Sequence, residues 1–170
     1  MDFATLSAER YSLRKFDERP VEPEKLNLIL EAGRKTPTAC NNQPQRIFVL
    51  RTREALQKVD GCVGCHFHPP VMILVAYDPK EAWVRDEDKK NHGEIDSALV
   101  AMQMMNQAAD LGLGTTYIGM FSEFNLKASF PLLEDLTPVA LLALGYPAEG
   151  AGPSHLHEKR KPLIDMVTYL

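Results

Sequence analysis

The sequence predicts an α+β fold: a central mixed or antiparallel sheet of four to five strands flanked by helices. Three observations carry this. The apolar runs 47–50, 71–76 and 139–144 are too short for helices and read as strands. Between them lie segments with apolar residues at helical spacing. One such segment, Glu94 to Leu111, is apolar on nearly every side, so the reading requires it to be buried almost all round.

Taken in order, Asp2 to Arg10 reads as a short helix and Tyr11 to Val21 as an irregular arm. A second helix starts at Glu22, with Pro23 at its first position and Leu26, Ile29, Leu30 and Gly33 in helical register, and stops near Arg34. A loop rich in Thr, Asn, Gln and Pro (36–45) leads to the strand Ile47 to Leu50. Thr52 is placed to cap a helix running to about Val59. The run Val71 to Ala76 is a buried central strand closed by Asp78-Pro79. The charged segment Lys80 to His92, with the only tryptophan, Trp83, is a surface excursion or a flap. After the long helix, Gly112 and Gly114 mark its end, Thr115 to Ile118 a strand, Glu123 to Phe130 a short helix and Val139 to Leu144 a further strand.

At 170 residues with 45% hydrophobic content, the chain is expected to form one domain, 1–170, with a sizeable core. A net charge of −4 argues against a general nucleic-acid surface and confines any anion site to a local pocket. No charged-then-apolar leader and no membrane-length apolar run is visible, so no membrane partner is expected. Three cysteines, an odd count, suit a reducing compartment, and the expected location is cytoplasmic. Burying the long helix on every side of so small a domain is simplest against a second copy, so a homodimer is expected.

Four segments are candidates for chemistry. Arg10, Ser12 and Arg14 alternate, so an extended arm points two guanidiniums and a hydroxyl one way, a set suited to phosphate. Alone it reads equally as a solvated basic loop. The run Pro37, Thr38, Ala39, Cys40, Asn41, Asn42, Gln43, Pro44 offers amides and backbone to a heterocycle edge, or is an ordinary turn. Gly112-Leu113-Gly114-Thr115-Thr116-Tyr117-Ile118-Gly119 lets backbone approach a flat ligand, and lacks the Gly-Lys-Ser/Thr ending of a P-loop. Lys159, Arg160 and Lys161 form a basic tail, an anion site or a solvated terminus.

In this order and spacing, with Gly145-Tyr146-Pro147 after the last strand, these segments resemble the nitroreductase family of flavoproteins over nearly the whole chain. The resemblance implies an FMN-dependent NAD(P)H oxidoreductase. Electrons would pass by ping-pong hydride transfer through flavin N5 to a small-molecule acceptor such as a nitroaromatic, a quinone or a flavin. It further implies that Arg10, Tyr11, Ser12 and Arg160, with Lys159 or Lys161, hold the phosphate and ribityl chain, and that Arg14 lies near the pyrimidine edge. Pro37, Thr38, Ala39, Asn41 and Gln43 would contact the flavin partly across the dimer boundary. Tyr117, Ile118 and Gly119 would meet the ring, with the Gly119 backbone near N5 and no protein acid or nucleophile required. Trp83 would shape the roof. Gln45, where an aromatic often stands, and Gly119, acidic in some members, depart from the pattern and bear on substrate rather than on flavin. NADH and NADPH are not distinguished, since no Gly-x-Gly-x-x-Gly follows a strand.

The string Cys62-Val63-Gly64-Cys65-His66 competes for attention. It matches a haem attachment pattern, and with His68 it offers zinc-type ligands crowded close together. It also allows a different class of protein, a flavin binder or redox sensor without turnover, using Cys62 and Cys65 as a reversible dithiol. No metal is assigned.

Overall fold

The computed structural model describes residues 2–170. Helix α1 (Phe3–Glu9) is started by Asp2, whose carboxylate accepts the Thr5 N–H at 3.0 Å. Helix α2 (Pro23–Arg34) begins at its proline, and α3 (Arg53–Asp60) is capped by Thr52, whose hydroxyl oxygen accepts the Ala55 N–H at 3.2 Å. These caps satisfy amide groups that the first helical turn leaves without partners. The longest helix, α4 (Gly93–Asp110), spans 18 residues, roughly 27 Å, and α5 (Glu123–Ser129) is short.

Strands β1 (Gln45–Leu50), β2 (Val71–Tyr77), β3 (Gly114–Ile118) and β4 (Thr137–Gly145) form one sheet in the order β1-β2-β4-β3. All three pairings are antiparallel, with a register shift in β2 between Val75 and Ala76. The sheet is thus four-stranded and antiparallel, the lower end of the predicted range. A single parallel bridge, Ser12 to Thr115, lays the arm along β3.

The sheet is buried on both faces, which is why β2 reads as an unbroken apolar run rather than an alternating one. On one face Val71, Ile73, Val75, Leu142 and Leu144 pack under α4 and α2 through Val100, Met104, Ala108 and Ile29. On the other, Met72, Leu74, Leu141 and Ala143 pack against Val59 of α3 and Leu126 of α5. Alternate residues of each strand serve alternate faces.

In helix α4, Val100, Ala101, Met104 and Ala108 are buried within the chain, while Ile95, Leu99 and Met102 are 41%, 48% and 43% exposed, the side that the sequence reading expects a second copy to cover. These three lie on one side, at the spacing of adjacent turns. The lack of a polar face was legible in the sequence; that one side looks outward is set by the tertiary packing. Lys80 to His92 is a compact excursion, held by the Arg85–Asp88 ion pair and by the His92 N–H donating to the Trp83 carbonyl at 2.9 Å.

Candidate functional site

The arm is fixed to β3 through its backbone. The Leu13 N–H donates to the Thr115 carbonyl at 2.9 Å, and the Thr116 hydroxyl donates to the Leu13 carbonyl. Beyond it, the Asp17 N–H donates to Tyr146 at 2.9 Å and the Ala148 N–H to Lys15 at 3.1 Å. Leu13 is buried, Ser12 is half-buried, and Arg14 and Lys15 are exposed. The arm lies so close to β3 that a Cβ on Gly114 would sit 2.3 Å from Leu13 Cδ2, and no other residue fits there.

Arg10 stands at the start of this arm. Its Nη1 is buried and has no hydrogen-bond partner. A buried donor left unpaired costs about 1–3 kcal/mol, more when charged, so this guanidinium is shaped for an acceptor from outside the chain. A cavity of about 160 Å³ opens beside it, bordered by Tyr11, Gly112 and Pro147. The tail returns over the same place: His157 Nε2 lies 3.0 Å from the Ala8 carbonyl, and its ring meets Tyr11 edge-on at 6.3 Å. Lys159, Arg160 and Lys161 follow, all exposed, with Arg160 Nη1 donating to the Leu156 and Lys159 carbonyls.

Further along β3 the strand's two sides diverge. Ile118 is buried in the core beneath α5, so only its backbone is available at a surface. Tyr117 points to the α4 side and is 40% exposed. Burial, and secondarily the Glu94 carboxylate of α4, push its hydroxyl pKa above the ordinary value. Gly119 is exposed at the strand's end.

The 37–44 loop is elsewhere. It joins α2 to β1, the sheet edge farthest from β3, roughly 14 Å away across three strand spacings. Thr38 Oγ1 accepts the Gln43 N–H at 3.0 Å, and Asn42 Nδ2 donates to the Glu81 carbonyl at 3.0 Å. Cys40, Asn41 and Gln43 have φ of 50°, 55° and 52°, left-handed conformations that non-glycine residues hold only when the surroundings enforce them. The loop is tied down on several sides: Asp96 Oδ1 accepts the Ala39 N–H at 3.0 Å, and Gln43 Nε2 donates to the Asn41 carbonyl at 3.2 Å. Asp96 is only 3% exposed, and its Oδ2 has no partner. Sequence reasoning passed over Asp96 because an acid in a helix's first turn ordinarily serves the helix dipole. Nearby, Trp83 meets His92 at 4.6 Å between ring centres.

The structure therefore brings the arm, the tail and β3 together, and holds the 37–44 loop and Trp83 with the first turn of α4. The cysteine segment is separate again. Cys62 is buried with its thiol turned to the Lys58 carbonyl at 3.1 Å, whereas His66 Nδ1 lies 2.8 Å from Asp60. Among the described residues no group of three or more His, Cys, Asp or Glu side chains is placed to hold a metal ion, the Cys62 to His68 segment included.

The nitroreductase family profile matches residues 8–67 and 57–146, which span the arm, the 37–44 loop and the glycine junction. The chain belongs to the nitroreductase family. A nitroreductase family protein from Clostridium difficile 630 superposes with a TM-score of 0.93 at 35% identity, covering 99% of this chain and 98% of that one. An NADH dehydrogenase of Thermus thermophilus is 30% identical across 99% of this chain and 96% of its own length. The FMN reductase (NAD(P)H) of Bacillus subtilis is 26% identical over 81% of this chain and 63% of its own. The basic tail lies beyond the part matched by the nitroreductase profile, and its link to the arm comes from the His157 contacts. Among the described residues no helix is long and apolar enough to cross a membrane.

Proposed function

We propose that this nitroreductase-family chain is an FMN-dependent NAD(P)H oxidoreductase acting, as a homodimer, on a small organic acceptor such as a nitroaromatic or a quinone. The observation that carries the reading is the buried, unpartnered Nη1 of Arg10 beside β3, a cationic donor awaiting an anion at the place where the family resemblance puts a phosphate. Arg10 and Ser12, with Lys159, Arg160 and Lys161 on the returning tail, hold the phosphate and ribityl chain. Arg14 neutralises charge at the pyrimidine edge. Tyr117 and the backbone of Ile118 and Gly119 border the ring, and Trp83 roofs it. Bound FMN supplies two-electron chemistry, linking oxidation of the nicotinamide to reduction of the acceptor.

The second half of the site comes from the partner. Pro37, Thr38, Ala39, Asn41 and Gln43 belong to the β1 edge, far from their own chain's arm. Ile95, Leu99 and Met102 form an apolar stripe on α4 between the two regions, a surface of the kind two copies bury against each other. A two-fold axis on that stripe carries the loop of one copy toward the arm of the other. Asp96 then acts as a positioning residue, fixing the loop that the partner's flavin meets.

The test is the visible spectrum of the purified protein, before and after anaerobic addition of NADH and NADPH. A flavin spectrum that bleaches with either supports the reading and identifies the donor; a colourless protein that cannot be loaded with FMN overturns it. Flavin that bleaches without turnover on any added acceptor would favour a binding or sensing role.

A further inference from the structure

A groove of about 900 Å³ lies on the α3 face of the sheet, the face opposite α4, and the flavin reading makes no use of it. Its floor is apolar: Leu56 of α3, Val63 and Phe67 of the following segment, and Met72 of β2. Met72 is buried and the other three are half-buried. This volume is of the size that encloses small organic ligands. Arg51 and Arg53, at the end of β1 and the start of α3, stand exposed at its border with no side-chain partner among the described residues.

Two carboxylates also border the groove, and they differ in state. Asp60 is engaged, its Oδ1 lying 2.8 Å from His66 Nδ1 and 3.8 Å from His68 Nδ1. Glu18 is exposed. The two carboxylates and the two guanidiniums balance over the groove as a whole, but Arg51 and Arg53 are without side-chain partners among the described residues, which leaves their donors available to an acidic group. His68 has φ of 47°, and its ring stacks on His66 with 6.2 Å between centres. The wall is thus held in a conformation non-glycine residues rarely adopt, a mark of segments shaped by something other than chain propensity.

We infer that this groove is a second binding site, for a small amphipathic anion whose apolar body lies on Leu56, Phe67 and Met72 while its carboxylate or sulfonate meets Arg51 and Arg53. An apolar floor and planar cationic donors on its border are the two elements such a ligand requires. Cys65, half-buried in the same groove, is a built-in reporter of occupancy.

The experiment uses the FMN-loaded protein. Alkylation of Cys65 is followed by peptide mass spectrometry with anilinonaphthalene sulfonate, or with neutral phenylnaphthylamine, which has the same apolar body without the anion. The sulfonate is expected to slow labelling of Cys65 saturably. In the R51Q/R53Q variant, about tenfold or more sulfonate is expected for equal protection, the loss of a charge-assisted contact, with NAD(P)H oxidation unchanged. Absence of protection, equal protection by the neutral dye, or undiminished protection in the variant would each overturn the assignment. So would slowing of Cys65 labelling by higher protein concentration alone, which would give the groove to a second copy of the chain.

Discussion

The two faces of the sheet are covered in opposite ways. On the α3 face the outer side of the covering helix is finished against water: Arg53, Glu54, Gln57 and Lys58 are exposed, and Lys58 pairs with Glu54 at 2.8 Å. On the α4 face the covering helix leaves an apolar stripe, Ile95, Leu99 and Met102, uncovered. Both helices bury their inner sides equally well; Val59 of α3 is 1% exposed and Met104 of α4 is 0% exposed. Core packing therefore does not distinguish the faces. The outer side does: α3 presents charged and amide residues to water, whereas α4 presents the apolar stripe that the proposed homodimer would cover.

If that comparison is sound, cavities in either core should cost alike. Met104→Ala and Leu126→Ala are each expected to lower unfolding free energy by about 2–5 kcal/mol in urea titrations. A much smaller loss for Met104→Ala would mean that α4 is loosely seated, and the contrast between faces would collapse. The outer stripe should respond differently. Leu99→Asp is expected to shift the population toward monomer by about a hundredfold in dissociation constant, roughly 2–3 kcal/mol, read by sedimentation velocity, with flavin lost in parallel. A charge change on α3, Glu54→Gln, should leave the mass unchanged; equal sensitivity at both helices would break the comparison.

Asp96→Ala sharpens it further, since it touches the site without touching the stripe. The Ala39 N–H loses its acceptor, with an expected cost of about 1–3 kcal/mol, and hydrogen exchange should rise across 38–43 while the sedimentation coefficient stays put. The smallest effect is electrostatic. On α2 the Glu31 carboxylate bonds the Arg34 guanidinium, which holds its pKa at about 2 against an ordinary 4.5. A depressed folded-state pKa contributes stability above the unfolded value and loses it as pH falls from 4.5 toward about 2. Glu31→Gln should flatten the melting temperature slightly over that window, and an unchanged slope would show the pair to be fully screened.

Much of the fold was legible because each strand and helix carries its own period. The boundaries of α2, α3, β2 and β3 fall within a residue or two of the reading, since Pro23, Thr52 and the glycines act locally. That Tyr11 to Val21 is an irregular arm rather than a helix was legible for the same reason, from its polar residues and Pro20. What stayed hidden depends on distant partners. Nothing local separates Leu99, exposed, from Val100, buried, because both are apolar and adjacent. Nor does the sequence show that Asp96 serves Ala39, some 57 positions away. The spread of the candidate residues over two sheet edges was likewise invisible until strand order placed β1 and β3 apart.

The docking of the arm has a consequence for how the protein is made. Leu13 and Thr116 are 103 positions apart, and Asp17 is bonded to Tyr146. The arm leaves the ribosome well before β3 and the end of β4, the strands whose backbone holds it. Contacts of such long sequence separation close slowly, because the intervening chain must first lose its entropy. Arg10 is therefore made before the strands that seat its arm, and the anion site proposed there can become competent only once β3 and β4 have formed.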